Sequence, residues 1–181
     1  DQFLYYSYLP AYFIKNDIEL KFLDKKLDQE YNNLWYSTTS NNTKFIKMSM
    51  GVAICHSPFF LIAHFLSQIF GYQPDGFSYF YQLALCISPI FYAILGLIFV
   101  YKILILYFDP KVSVITALLL YFATNLFACI YINPGLSHSY GFMFMAAALF
   151  YFIKWIKNPS HSRSIILGLI IGMLILIRPT N

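Results

Sequence analysis

Residues 83–101 read LALCISPIFYAILGLIFVY and contain no acidic or basic side chain. A stretch of this length and composition is typical of a helix that crosses a bilayer, which needs about 20 apolar residues. Three further apolar stretches follow at 112–132, 139–156 and 164–177. Thr124 and Asn125 lie inside the first of these, where we expect interhelical hydrogen bonds. The sequence therefore predicts an all-α, polytopic membrane domain over 83–181.

The composition supports this class. Of the 181 residues, 59% are hydrophobic and only 11% are charged, whereas soluble domains carry about a quarter charged residues. The net charge of +4 forms no basic stripe, so nucleic acid is not an expected partner. The three cysteines lie in apolar runs without CxxC spacing, and His56 and His64 make a weak metal pair. No metal site is predicted, and a divalent metal cofactor is left open.

The region 1–82 differs from the rest of the chain. Residues 3–14 (FLYYSYLPAYFI) are too short and too aromatic for a span, so we place them at the membrane interface. A capping-box-like start at Asn16 leads into 17–34, which shows an apolar stripe opposite a charged face and predicts a surface helix. Residues 37–44 (STTSNNTK) are expected to form a polar loop.

Loop charges predict the orientation. Lys and Arg occur in or beside the connections 102–111 and 154–163, whereas 133–139 has neither. Because basic short loops tend to stay cytoplasmic, 102–111 and 154–163 are expected inside. It follows that 71–82, 133–139 and 178–181 are expected outside.

The stretch 50–70 leaves two topologies open. If it crosses the bilayer, residues 1–49 are cytoplasmic. If it lies in the interface or re-enters, 1–82 form one large external loop with interfacial juxtamembrane helices. We expect the second, because Pro58, His56 and His64 would be poorly satisfied in a lipid-facing span.

Polar residues that are hard to explain by packing collect on the external side of this topology: Asp1, His138, Tyr140 and Arg178. A carboxylate can deprotonate an acceptor hydroxyl, and a guanidinium matches phosphate oxygens. Together they suit transfer from an anionic lipid carrier. Simpler alternatives are a helix cap for Asp1, a backbone-bonded interfacial histidine for His138 and a snorkelling anchor for Arg178.

Four ordered motifs add a family resemblance. They are D-x-x-x-YY-x-YLPA-x-FI-x-x-D (1–17), MGVAICHSPFFLIAH (50–64), GLSHSYGFMF (135–144) and LIRPTN (176–181). In this order the chain resembles the bacterial GT-C superfamily of membrane glycosyltransferases. The similar branches are protein O-mannosyltransferase-like and aminoarabinose-transferase-like, of a type common among Bacteroidetes.

The resemblance implies a role for each candidate. Asp1 matches the family's catalytic base, and Arg178 lies where the family places a basic residue near the donor phosphate. Tyr5, Tyr6, His138 and Tyr140 are expected to line the sugar or acceptor pocket. The family often has a second acid in the second external loop, where this chain has Ser137–Ser139 around His138.

The implied function is sugar transfer from a polyprenyl-phosphate donor to a protein, lipid or glycan acceptor. The reaction would take place at the periplasmic face of the bacterial inner membrane, with the protein embedded in the lipid bilayer. The chain would be an N-terminal fragment of the enzyme. The alternative is a non-enzymatic transporter or flippase for lipid-linked saccharides. Such proteins more often show broken, paired half-helices or internal repeats, and the sequence shows neither.

Overall fold

The computed structural model of the protein describes residues 2–17, 37–38, 44–46 and 48–179. The helices are α1 (Gln2–Pro10), a π-helical segment (Ala11–Lys15), α2 (Gly51–Ile69), α3 (Tyr79–Leu104), α4 (Pro110–Phe122), α5 (Asn125–Tyr131), α6 (His138–Lys157) and α7 (His161–Ile177). The chain divides into two compact units, Asp1–Ile87 and Ser88–Asn181.

Helices of membrane length dominate this part of the chain. Among the described residues, α2, α3 and α6 are each long and apolar enough to cross a membrane, and α4 with α5 passes the same test as one bent span. Helix α7 is apolar but has only 17 residues. The predicted helical class with several membrane-length helices is confirmed, while the sidedness of the loops stays a prediction.

The segment predicted as a polar loop contains a short β-ladder. Strands β1 (Ser37–Thr38) and β2 (Lys44–Phe45) pair antiparallel, with Ser37 opposite Phe45 and Thr38 opposite Lys44. Two residues per strand are too few for an alternation pattern, which is why the sequence gives no strand signal here. The predicted surface helix at 17–34 lies almost wholly outside the described residues.

In the first unit, α1 packs against α2. Buried residues of both helices and of the start of α3 form one cluster: Tyr6, Leu9, Ala53, Phe60, Ala63, Tyr81 and Ala84. Asn16 follows the π-helical segment in a left-handed conformation, with φ 48°. Asn16 therefore ends the preceding helical segment, whereas the sequence pattern predicts Asn16 as the start of the next helix.

The turn before α3 is fixed by a carboxylate and a glycine. Asp75 Oδ1 accepts hydrogen bonds of 2.8 Å from the backbone N–H groups of Phe77 and Ser78. Gly76 has φ +89°, and an added Cβ there would lie 2.9 Å from Pro10 Cβ. Only glycine combines this backbone conformation with so close an approach to α1.

Helix α2 continues through Pro58 without a break. His64 is half-buried and hydrogen-bonded, whereas His56 is buried and neither of its ring nitrogens has a hydrogen-bond partner among the described residues. Burial inside the unit thus keeps the His56 ring away from the surface of α2. The interfacial or re-entrant placement of this stretch remains a prediction.

In the second unit, α3 and α6 run parallel. Ser88 of α3 contacts Tyr140 of α6, and Phe99 of α3 contacts Phe150 of α6. The second contact lies eleven residues further along α3 and ten residues further along α6, so the two helices point the same way. Between these contacts, an added Cβ on Gly96 would lie 3.1 Å from the Met143 backbone and closer still to a neighbouring ring. The glycine therefore lets the two helices approach closely.

Helices α6 and α7 form an antiparallel hairpin joined by residues 158–160. Ser160 caps α7 by accepting a hydrogen bond from the Arg163 backbone N–H. At the same turn, Trp155 Nε1 donates to Ser164 Oγ across 2.9 Å. We call the end of the hairpin at this turn the closed end. We call the opposite end, where α6 begins at His138 and α7 ends at Ile177, the open end.

The stretch 112–132, predicted as one helix, is divided into two. Helices α4 and α5 meet at an angle of 56°. At the break, the Thr124 hydroxyl donates to the Leu120 carbonyl (2.6 Å) and accepts from the Leu126 N–H (3.3 Å). A threonine that bonds its local backbone in this way competes with the helix. The Thr124 bonds are thus local caps, not the interhelical bonds expected from the sequence.

Candidate functional site

The open end of the α6–α7 hairpin carries two of the predicted site residues. His138 is the first residue of α6, and Arg178 directly follows α7. Both are exposed, and neither side chain makes a hydrogen bond or ion pair with another described residue. An imidazole and a guanidinium at one helix-pair end leave their donors available to a ligand.

Tyr140, the third residue of α6, lies near the same end but is buried. Its phenol shares a 2.9 Å hydrogen bond with the Ser88 hydroxyl, and both residues are fully buried. Its ring also packs against Tyr92, with centroids 4.9 Å apart. This placement makes Tyr140 the anchor of the open end on α3.

The other predicted aromatic residues belong to the first unit. Tyr5 and Tyr6 are buried in α1. The Tyr6 hydroxyl donates to the Gly76 carbonyl, and its ring makes an edge contact with Phe60. Tyr6 therefore ties α1 to the turn before α3. Asp1, the predicted base, lies outside the described residues.

Tyr8, a third tyrosine of α1, bonds the chain just before α2. Its hydroxyl donates to the Met48 carbonyl across 2.7 Å, and burial raises the pKa of this phenol above the usual value. Beside it, an open cavity of about 450 Å³ has a mostly apolar lining: Tyr8, Leu9, Ala11, Tyr12, Phe13, Met50, Ala53, Ile54 and Ser57. This cavity can accept an apolar chain but has little to bind a sugar.

A polar chain in the first unit was not predicted from the sequence. His64 Nδ1 shares a 2.6 Å hydrogen bond with the buried Tyr81 hydroxyl, and Gln68 Nε2 donates to His64 Nε2 across 3.0 Å. The first of these bonds connects α2 with the start of α3. The signal present in the sequence was the His64–Gln68 spacing of one helical turn. The partner on α3 could be found only from the tertiary structure.

His56 is the other polar residue buried in α2. It is 2% exposed, and neither ring nitrogen has a hydrogen-bond partner among the described residues. Its ring lies against Tyr6 and Phe59, with centroids 5.7 Å and 6.3 Å away. It does not contribute to a ligand cluster, since no group of three His, Cys, Asp or Glu side chains within the described ranges could hold a metal ion.

Comparison with known proteins adds no family. No family model, no curated protein and no solved structure matches this sequence.

Proposed function

We propose that this protein is part of a GT-C-type inverting glycosyltransferase that uses a polyprenyl-phosphate sugar at the periplasmic face of the bacterial inner membrane. The acceptor oxygen attacks the anomeric carbon of the sugar from the side opposite the phosphate. The anomeric carbon–oxygen bond to the phosphate breaks, and polyprenyl phosphate leaves. The acceptor proton passes to a carboxylate.

Three candidate residues take part in this reaction. Asp1 takes the proton from the acceptor hydroxyl. Arg178 pairs with the departing lipid phosphate through its fork of N–H donors, and His138 orients the sugar or acceptor. Tyr140 and Tyr6, whose hydroxyls bond within their own units, position the helices that carry these groups.

The observation that supports the proposal is the division of charge along the α6–α7 hairpin. The open end exposes His138 and Arg178, and the closed end carries Lys154, Lys157 and Arg163. Helix α6 has 20 residues, or about 30 Å, which matches the thickness of the hydrocarbon core. A basic closed end inside would place the two exposed donors outside, at headgroup level, where a lipid-linked phosphate is found.

The bent α4–α5 pair favours a second candidate, a transporter of lipid-linked saccharides. Broken helices often form the substrate sites of transporters, and α4 and α5 meet at 56°. The apolar run 112–132 gives no sign of this break. The transferase remains the preferred proposal because it also gives His138, Arg178 and the four motifs a common purpose.

Donor turnover separates the two candidates. Membranes that contain the protein would be incubated with radiolabelled polyprenyl-phosphate sugar and a membrane extract as acceptor source. A transferase releases free polyprenyl phosphate and moves label to acceptor, whereas a transporter moves intact donor across the bilayer. Release that does not exceed that of membranes lacking the protein would contradict the proposal.

Asp1→Asn tests the base. We expect transfer to fall by about 10²–10⁴-fold, the usual contribution of a general base, with unchanged thermal stability. Asp109→Asn is the matched control, because Asp109 precedes α4 in the basic connection and makes no side-chain cap bond. Near-normal turnover of Asp1→Asn would contradict the assignment of the base.

A further inference from the structure

Two lysines from different helices approach one aromatic ring near the closed end of the hairpin. Lys102 in α3 places its ammonium nitrogen 5.9 Å from the centroid of the Phe150 ring, and Lys154 in α6 places its own 4.5 Å away. Lys102 also lies 5.8 Å from the Phe99 ring. The Phe150 ring is 8% exposed, whereas both lysines are exposed. We call Lys102 and Lys154 the lysine pair.

The charge of the lysine pair is not balanced within the described part of the chain. Neither lysine makes an ion pair there. A third cation lies nearby, since the Arg163 guanidinium donates to the backbone carbonyl of Lys154 across 3.2 Å and to that of Asn158. Cation–π contact offsets part of the cost of holding like charges together, but it leaves the net positive charge in place.

We propose that the lysine pair binds the phosphate of an anionic phospholipid. Each ammonium group brings three donors and a full positive charge, and the two converge from neighbouring parallel helices. The Phe150 ring fixes the end of each side chain, so less conformational freedom is lost when a phosphate binds.

The surface next to the lysine pair selects a lipid over free phosphate. Large apolar side chains remain exposed on α3 one and two turns before Lys102, on the same side of the helix: Ile98 and Ile94. A headgroup at the lysine pair would let an acyl chain lie along this side of α3. Free phosphate would gain the charge contact but none of this apolar contact. The proposal does not depend on the transferase activity.

Native mass spectrometry of the protein in detergent micelles tests this site. The protein would be titrated with phosphatidylglycerol and, in parallel, with zwitterionic phosphatidylethanolamine. We expect tighter binding of phosphatidylglycerol. Replacing both lysines by Met keeps the apolar stems and should weaken that binding by about fivefold for each lysine, as expected for a cation near an anionic lipid surface. Replacing both by Arg should preserve it.

Lys111→Met is the matched control. Lys111 lies in the first turn of α4, carries the same charge and makes no contact with the Phe150 ring that the structure describes. It should bind phosphatidylglycerol as the unsubstituted protein does. Equal binding of the two lipids, an equal loss in Lys111→Met, or displacement of the lipid by millimolar inorganic phosphate would each overturn the proposal. Thermal melting shows whether each variant is folded. The Arg variant keeps both positive charges, so weaker binding in the Met variant alone is due to the lost charge.

Discussion

The two ends of the α6–α7 hairpin hold the same kinds of residue but use them differently. At the closed end, the Arg163 guanidinium donates to the carbonyls of Lys154 and Asn158. At the open end, the Arg178 guanidinium contacts no other described polar group. One arginine is thus part of the helix termination, since cations and donors complement the last carbonyls of a helix. The other is available for a ligand, which is what the proposed function requires.

The largest expected difference between the ends is in activity. Arg178→Gln should lower sugar transfer by about 100-fold, the cost of removing one donor that stabilises developing negative charge. The thermal midpoint should not change, because the side chain supports no described contact. Initial rates with radiolabelled donor measure the effect.

Arg163→Gln is the control for Arg178→Gln. It should lower the thermal midpoint, because two carbonyls at the end of α6 lose their donor, and it should leave the rate per folded molecule unchanged. An Arg163→Gln enzyme as inactive as Arg178→Gln would remove the functional distinction between the two ends.

The anchor of the open end gives the next largest effect. Tyr140→Phe should destabilise the protein by about 1–3 kcal/mol, since the buried Ser88 hydroxyl loses its partner. Adding Ser88→Ala to Tyr140→Phe should cost little more, because both groups of the pair are then removed. Denaturant unfolding in micelles measures both. Fully additive costs would show that the two hydroxyls do not interact.

Two histidines allow a matched comparison of the ends. His138 and His161 are the first residues of α6 and α7, and both are exposed. His138→Gln should reduce transfer by about tenfold, roughly the value of one hydrogen bond to substrate. His161→Gln should not reduce it. Equal rates for the two variants would argue against a substrate contact at His138.

The smallest effect is expected at the turn. Trp155→Phe removes the hydrogen bond to Ser164 at an exposed site, so it should cost about 0.5–1 kcal/mol of stability and leave transfer intact. Thermal melting beside Ser164→Ala checks this value. A loss of activity without a loss of stability would show that the closed end takes part in the reaction.

Much of the helical framework could be predicted from apolar stretches alone. The ends of α3, α6 and α7 lie within a few residues of those expected, because a run of this length and composition has no other satisfied conformation in a bilayer. The break between α4 and α5 could not be predicted in this way. The break depends on Thr124, whose hydroxyl forms hydrogen bonds with nearby backbone groups. A hydropathy pattern does not show where such bonds form.

The site was less predictable than the helices. Exposure of His138 and Arg178 follows from their positions at helix ends, which the sequence indicates. The burial of Tyr140 against Ser88, and the bond between His64 and Tyr81, depend on which helices are neighbours. Such contacts between distant parts of the chain leave no periodic signal in one sequence.

The proposal that His138 and Arg178 act at the external face is tested most directly by asking whether the two hairpin ends lie on opposite sides of the membrane. The three cysteines would be replaced by Ala, and a single cysteine introduced as His138→Cys or as His161→Cys. Intact cells would then be treated with a membrane-impermeant maleimide that passes the outer membrane. We predict labelling of His138→Cys in intact cells and of His161→Cys only after the inner membrane is permeabilised. Labelling of His161→Cys but not His138→Cys in intact cells would contradict it.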